Sequence, residues 1–228
     1  MPETIRAPDG LYGVAVAETR ISRSSPDGSL TYRGYAIKEL FERATFEECA
    51  YLILEGRLPR SGELDEFEEK LRVHSKVPES VYNVVRGLPV DSDPMDLLRT
   101  AISALGAVEG SLGGRDREYS LIAKMPALAA NCYRVARGMS IIEPEAGMDQ
   151  VSGLLYMLTG KRPDQFESWV FERMLILYLD HDMNASAFAV RVVSSTLADV
   201  YAATTAGLAA LKGPLHGGAN EAAMKTLL

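Results

Sequence analysis

Along most of this chain the apolar positions recur every three to four residues, and that spacing predicts amphipathic helices. Thr45-Phe46-Glu47-Glu48 has the form of a capping box, with a hydroxyl at the helix start and a glutamate three positions on. It predicts a helix running through Leu54, closed by Gly56 and Pro59. Ser61 is placed to cap the next segment, in which Leu64, Phe67 and Leu71 share one face. Asp93-Pro94 predicts a further helix start, with proline at the first helical position, Asp96 near the positive end, and Met95, Leu98, Ile102 and Leu105 as the buried stripe. Residues 112–118 read as a loop. Residues 121–137 read as a helix, with Pro126 either near its start or kinking it. Asp149 opens a helix to Thr159, and Asp164 opens one reaching about Asp180. One stretch departs from helical spacing. Arg20-Ile21-Ser22-Arg23 and Leu30-Thr31-Tyr32-Arg33 flank the turn residues Ser25-Pro26-Asp27-Gly28, which predicts one small hairpin that needs a surface to pack on. The expected class is all-α with a small N-terminal β-hairpin.

The segment from 185 to 212 is 28 residues long and rich in alanine. As one straight helix it would span roughly 40 Å. A break is expected instead, because Ser194-Ser195-Thr196 offers hydroxyls that compete with the helix backbone and Asp199 suits a new helix start. Two antiparallel helices of about 11 and 14 residues follow from the 1.5 Å rise per residue. They would bring His181 and His216 to the same end of the pair, with the alanines allowing close packing.

His216 sits in Gly213-Pro214-Leu215-His216-Gly217-Gly218-Ala219-Asn220-Glu221. Gly213 suits a left-handed helix end, Pro214 prevents the helix from resuming, and Gly217 and Gly218 leave backbone N–H groups open to a ligand. Residues 220–228 read as a new helix. A histidine there is placed to donate a proton or to bind an oxyanion; the plain alternative is a helix connection with a satisfied histidine. His74 reads as a surface residue at a helix end. Asp180-His181-Asp182 alone is a weak metal signal without further ligands at suitable spacing.

Composition narrows the class further. With 47% hydrophobic and 24% charged residues the chain can build an ordinary core. Its net charge of −7 comes without a basic cluster, which argues against a nucleic-acid surface. No apolar run is long enough to span a bilayer and the first residues carry no targeting pattern, so a cytoplasmic protein is expected. The two cysteines, Cys49 and Cys132, lie in apolar helical contexts and read as buried free thiols.

His181-Asp182-Met183-Asn184-Ala185-Ser186 followed by the His216 segment resembles citrate synthase, especially its shorter archaeal and bacterial type. Gly10-Leu11-Tyr12-Gly13-Val14, Tyr32-Arg33-Gly34-Tyr35, Phe46-Glu47-Glu48-Cys49-Ala50-Tyr51-Leu52 and Leu98-Arg99-Thr100-Ala101 are similar to that family in the same order, so the resemblance covers essentially the whole chain. It implies an all-α homodimer with a large and a small domain, condensing oxaloacetate with acetyl-CoA to citrate and CoA without a metal or separate cofactor. It implies that His216 hydrogen-bonds the thioester carbonyl while the methyl group loses a proton. By the same resemblance His181 binds oxaloacetate, and Asn184 and the Gly217 backbone shape the pocket. The alanine-rich helices would lie near the subunit interface.

The family's aspartate base, its third histidine and its main oxaloacetate-binding arginines lie downstream of the His216 segment. Residues 1–228 therefore correspond to a large-domain portion without the small domain and last helices, and the chain alone is expected to be inactive. Three readings fit: a citrate synthase polypeptide whose remainder comes from elsewhere, including a second chain; a 2-methylcitrate synthase using propionyl-CoA; or a truncated, non-catalytic paralogue that regulates a complete synthase.

Overall fold

The computed structural model describes residue 14 and residues 16–218. Among these residues the elements are β1 (Ser22–Ser24), β2 (Leu30–Tyr32), β3 (Tyr35–Ala36), α1 (Ile37–Arg43), α2 (Phe46–Glu55), α3 (Glu63–His74), α4 (Glu79–Arg86), α5 (Pro94–Val108), α6 (Asp116–Ala136), α7 (Gln150–Thr159), α8 (Gln165–Leu177), α9 (Ala185–Ser194) and α10 (Val200–Leu211). The all-α reading holds, and no described helix is long and apolar enough to cross a membrane.

Most helices begin where a capping side chain stands. Thr45 Oγ1 accepts from the Glu48 N–H at 3.1 Å while Glu48 accepts from the Thr45 N–H at 2.8 Å, closing the capping box of α2. Asp164 and Glu167 repeat the device on α8, and Asp93, Asp149 and Asp199 cap α5, α7 and α10. Four expectations need correction. Ser61 does not cap α3: Gly62 takes the N-cap at φ +85°, and Glu63 reaches back to the Arg60 N–H at 2.6 Å. The loop expected over 112–118 is shorter, because α6 already starts at Asp116 and carries Pro126 well inside it. Helix α8 stops at Leu177, whose carbonyl accepts from the Tyr32 hydroxyl at 3.0 Å. The hairpin gains a third strand, since Arg33 and Gly34 both take positive φ (50° and 91°) and turn β2 directly into β3. Arg33 is held in that unfavourable region by hydrogen bonds from its guanidinium to the carbonyls of Arg20 and Ile53.

The main core lies among α4, α5, α6, α7 and α10, around Tyr82, Ile102, Leu105, Leu128, Met157 and Tyr201. A smaller core beneath the sheet gathers Tyr32, Leu40, Cys49, Leu52 and Ile176. Cys49 and Cys132 are free and buried, and burial pushes both thiols up to about 12, far from the reactive thiolate range. Helices α9 and α10, of 10 and 12 residues, form the expected close pair around a break at residues 195–199. Glycines set the distances on both sides of α10. A Cβ added at Gly207 would lie 2.7 Å from Val190 Cγ2, and one at Gly106 would lie 2.7 Å from Tyr201 Cβ.

A buried polar network ties α10 to the rest. Lys124, 3% exposed, donates to Glu109 Oε1 at 3.0 Å, Ser120 Oγ at 2.7 Å and the His74 carbonyl at 2.5 Å. Glu109 Oε2 accepts from Ser120 at 2.6 Å and from the Tyr201 hydroxyl at 2.7 Å. His74, expected at the surface, is half-buried, and its backbone belongs to this network.

Glu47 is 6% exposed and accepts from the Gln150 N–H at 3.1 Å, joining α2 to the start of α7. Burial pushes its carboxyl up to about 7, outweighing that hydrogen bond. The folded chain keeps the proton up to about pH 7, whereas an unfolded glutamate releases it near 4.5. Stability contributed here is therefore lost as pH rises between those values, by about 3 kcal/mol at 1.36 kcal/mol per unit. Glu47→Gln keeps the acceptor without the charge. Urea unfolding at pH 5 and pH 8 should show the variant flatter with pH than the parent and more stable at pH 8; equal slopes would refute this.

Candidate active site

The α8–α9 connection carries Asp180 to Asn184, and the sheet holds it in place. Ser22 Oγ accepts from the Asp182 N–H at 2.8 Å, and Ser24 donates through its hydroxyl to the Asp182 carboxylate. Asp182 is thereby kept at φ +54°. Asp180 has one buried carboxylate oxygen without a hydrogen-bond partner among the described residues, and burial raises its pKa against the opposing Ser22 hydroxyl. Between these two aspartates His181 stands exposed.

Asn184 caps α9, its Oδ1 accepting from the Ala187 N–H at 2.7 Å. The same oxygen lies 2.7 Å from Ser186 Oγ, which in turn lies 3.0 Å from His216 Nε2. The structure thus brings Asn184, Ser186 and His216 into one chain of contacts, and the His181 connection and the His216 loop meet at the same end of the α9–α10 pair. The Ser186 hydroxyl has a single proton and two acceptors beside it. Given to Asn184, it requires the Nε2–H tautomer of His216. Given to His216 Nε2, it leaves the Nδ1–H free to donate. Ser186 is the site residue the sequence reading gave no role. Its position two residues after a capping asparagine, on the first turn of a helix, was the available signal.

The His216 loop departs from expectation in one respect. Gly213 is not left-handed; α10 ends through Lys212 in right-handed conformation, and the Gly213 N–H bonds the Ala210 carbonyl at 3.1 Å. Glycine is required there by space, since a Cβ would sit 3.2 Å from the Ala210 oxygen. Gly217 has a similar reason: a side chain would run into the Leu211 carbonyl, so the loop folds back tightly on the last turn of α10. The Gly218 N–H bonds Gly213 O at 3.3 Å. The helix expected over 220–228 lies outside the described residues, as do Gly10 to Gly13.

Two cavities open elsewhere. One, of about 660 Å³, lies among α3, α6 and residues 144–150 and is lined by Asp65, Glu68, Asp149 and Arg72. The other, of about 450 Å³, lies over the sheet beside Arg20, Arg23 and Arg33. Neither is lined by His181, Asn184, His216 or Gly217. Among the described residues no group of three or more His, Cys, Asp or Glu side chains is arranged to hold a metal ion.

A sequence model of the family described as citrate synthase, C-terminal domain, matches residues 10–228. The chain is 42% identical over 226 residues to the citrate/2-methylcitrate synthase of Bacillus subtilis, a match covering 96% of this chain and 61% of that protein. It is 40% identical to 2-methylcitrate synthase 2 of Corynebacterium glutamicum, over 96% of this chain and 60% of that one. The fold superimposes on citrate synthase of Thermoplasma acidophilum, solved as a ternary complex with carboxymethyl coenzyme A and oxaloacetate, with a TM-score of 0.88 and 35% identity. That match covers 93% of this chain and 58% of the other. The chain spans about three fifths of the length of the relatives it matches.

Proposed function

The chain belongs to the citrate synthase family, and on that premise we propose that it carries the thioester-polarising half of a condensing acyltransferase site, working as a homodimer on acetyl-CoA and oxaloacetate. The observation that carries this reading is the contact of His216 Nε2 with Ser186 Oγ at 3.0 Å. When the Ser186 hydroxyl turns from Asn184 Oδ1, to which it donates at 2.7 Å, and donates to Nε2 instead, a neutral imidazole presents its Nδ1–H to the thioester oxygen. As a base from the part of the family fold outside this chain removes a methyl proton, charge collects on that oxygen, and a fixed donor stabilises it. The methylene carbon then attacks the ketone of oxaloacetate, and hydrolysis of the resulting thioester releases citrate and CoA.

His181, exposed on a connection clamped by Ser22 and Ser24, is assigned to the oxaloacetate anion. The Asn184 amide nitrogen, left over once its oxygen caps α9, is assigned to the same anion together with the Gly217 backbone. The acyl-CoA is a substrate, and the reading assigns no metal or separate cofactor.

A second reading of the acyl donor is favoured by the relatives, several of which are named 2-methylcitrate synthases; propionyl-CoA is then the substrate. Release of free CoA thiol, measured with each acyl-CoA and oxaloacetate, tests both. The 228-residue chain alone should release none, because a missing base removes a factor of about 10²–10⁴ before any other loss is counted. The chain joined to the rest of a relative's fold should release CoA from one acyl donor well above the other. Turnover by the chain alone, or none by the joined protein with either donor, would overturn the proposal.

A further inference from the structure

Helix α8 is turned partly inside out. Its fully buried residues are Arg173 and Ile176, with Arg173 donating to the carbonyls of Phe41 and Ala44 and Glu172 accepting from the Phe46 N–H at 2.9 Å. Beyond Gln165 and Glu167 in the first turn, its exposed residues are apolar. Phe166, Val170, Met174 and Leu177 fall in one line along the helix, with Trp169 beside them, and Phe166 and Trp169 are 71% and 50% exposed. The two rings stack at 6.4 Å, and Trp169 meets the edge of Phe41 at 6.3 Å, so the patch is ordered and continuous. Tyr178 extends it to within three residues of His181, and α9 beyond has no fully buried residue. A surface of aromatic, methionine and aliphatic side chains, with Glu172 and Arg173 turned inward, has the composition of an interface centre.

The relatives are longer than this chain, which bears on what is left to cover it. The matches cover 96% of this chain but only about 60% of each relative, so two fifths of the family fold has no counterpart among these residues. We infer that the α8 stripe, from Phe166 to Tyr178, is the seat of that remaining part of the citrate synthase fold, joined to this chain or supplied as a second polypeptide. The inference rests on family membership and on the surface, not on the catalytic roles of His181 and His216.

Trp169 is the chain's single tryptophan and stands in the stripe, which makes it a direct reporter. The chain is compared with the same chain joined to the unmatched part of the Bacillus subtilis relative, and in a second version to that of the Corynebacterium glutamicum relative. Any tryptophan in the added part is replaced by phenylalanine. Acrylamide quenching of Trp169 should fall several-fold on joining, and Val170→Glu should return it to the level of the chain alone. Val170 is exposed, so the chain alone should melt at the same temperature with or without this substitution. Trp169 as open in both joined proteins as in the chain alone overturns the inference, whatever their activity. Protection that grows with concentration of the chain alone also overturns it, because a second copy then covers the stripe. A joined protein that protects Trp169 yet releases no CoA sinks the catalytic reading and leaves this one standing.

Discussion

His216→Ala, made in the protein joined to the rest of the family fold, is expected to lower kcat for CoA release by about 10²–10⁴-fold while leaving oxaloacetate binding within a few-fold of the parent. The asymmetry follows from where the charge develops. On the proposed reading the imidazole contributes little to binding a neutral thioester and a great deal once the oxygen becomes an enolate, so the loss falls on the rate and not on ground-state affinity. Ser186 acts through His216 and has its own signature. In Ser186→Ala the Nε2 partner disappears and the proton is free to leave Nδ1 for Nε2. One hydrogen bond of about 1–1.5 kcal/mol corresponds to roughly a tenfold drop in kcat. Ser186→Thr keeps the hydroxyl and should recover most of it. Steady-state kinetics on the three variants decide the matter. A His216→Ala enzyme within tenfold of the parent, or a threonine variant no better than alanine, would remove the histidine or its serine from the mechanism.

The largest effect on stability is expected at Lys124. Its three ammonium protons are all taken, by Glu109, Ser120 and the His74 carbonyl. Burial alone would raise the Glu109 pKa, but the Ser120 and Tyr201 hydroxyls and the Lys124 ammonium outweigh it and hold the carboxyl below its ordinary value. Glu109 therefore stabilises the fold above the unfolded carboxylate range, and that contribution is lost as pH falls through its lowered folded value. Lys124→Met leaves the carboxylate buried without its cation, a change expected to cost about 3–5 kcal/mol at neutral pH. For a chain of this size that lowers the melting temperature by on the order of 10 °C. Adding Glu109→Gln to Lys124→Met removes the stranded charge and should recover part of the loss. Calorimetry on the single and double variants measures both, and a double variant no more stable than Lys124→Met would show that the charge pair is not the cause.

How much of this was legible in the sequence depended on how local each cause was. The starts of α2, α5, α7, α8 and α10 were readable because a capping side chain acts within three residues of its own backbone. The α9–α10 break was readable for the same reason. The third strand was not, because Arg33 reaches positive φ only with help from Arg20 and Ile53, which are brought to it by the fold. The end of α8 at Leu177 depends on the Tyr32 hydroxyl, 145 positions away in the chain. Gly213 and Gly217 were recognised as necessary glycines for a conformational or ligand-facing reason, whereas the structure gives a steric one. The network around Glu109 and Lys124 joins α3, the end of α5, α6 and α10, and leaves no periodic trace. At the candidate site the histidines were found by motif. Ser186, which decides the tautomer, became visible only once α10 had carried His216 back to the first turn of α9.

The bond between Ser24 and Asp182 joins residues 158 positions apart, and this bears on the order in which the molecule is made. The strands that clamp the His181 connection are synthesised well before it, yet a short sheet has no independent stability and must wait for a surface. That surface includes Ile176 of α8, in the last third of the chain. The His181 connection is therefore completed by the contacts of longest sequence separation, those whose loop closure is slowest to repay. During synthesis the helices around Leu105 and Leu128 can settle early, while His181 acquires its setting only after the sheet and α8 are both present.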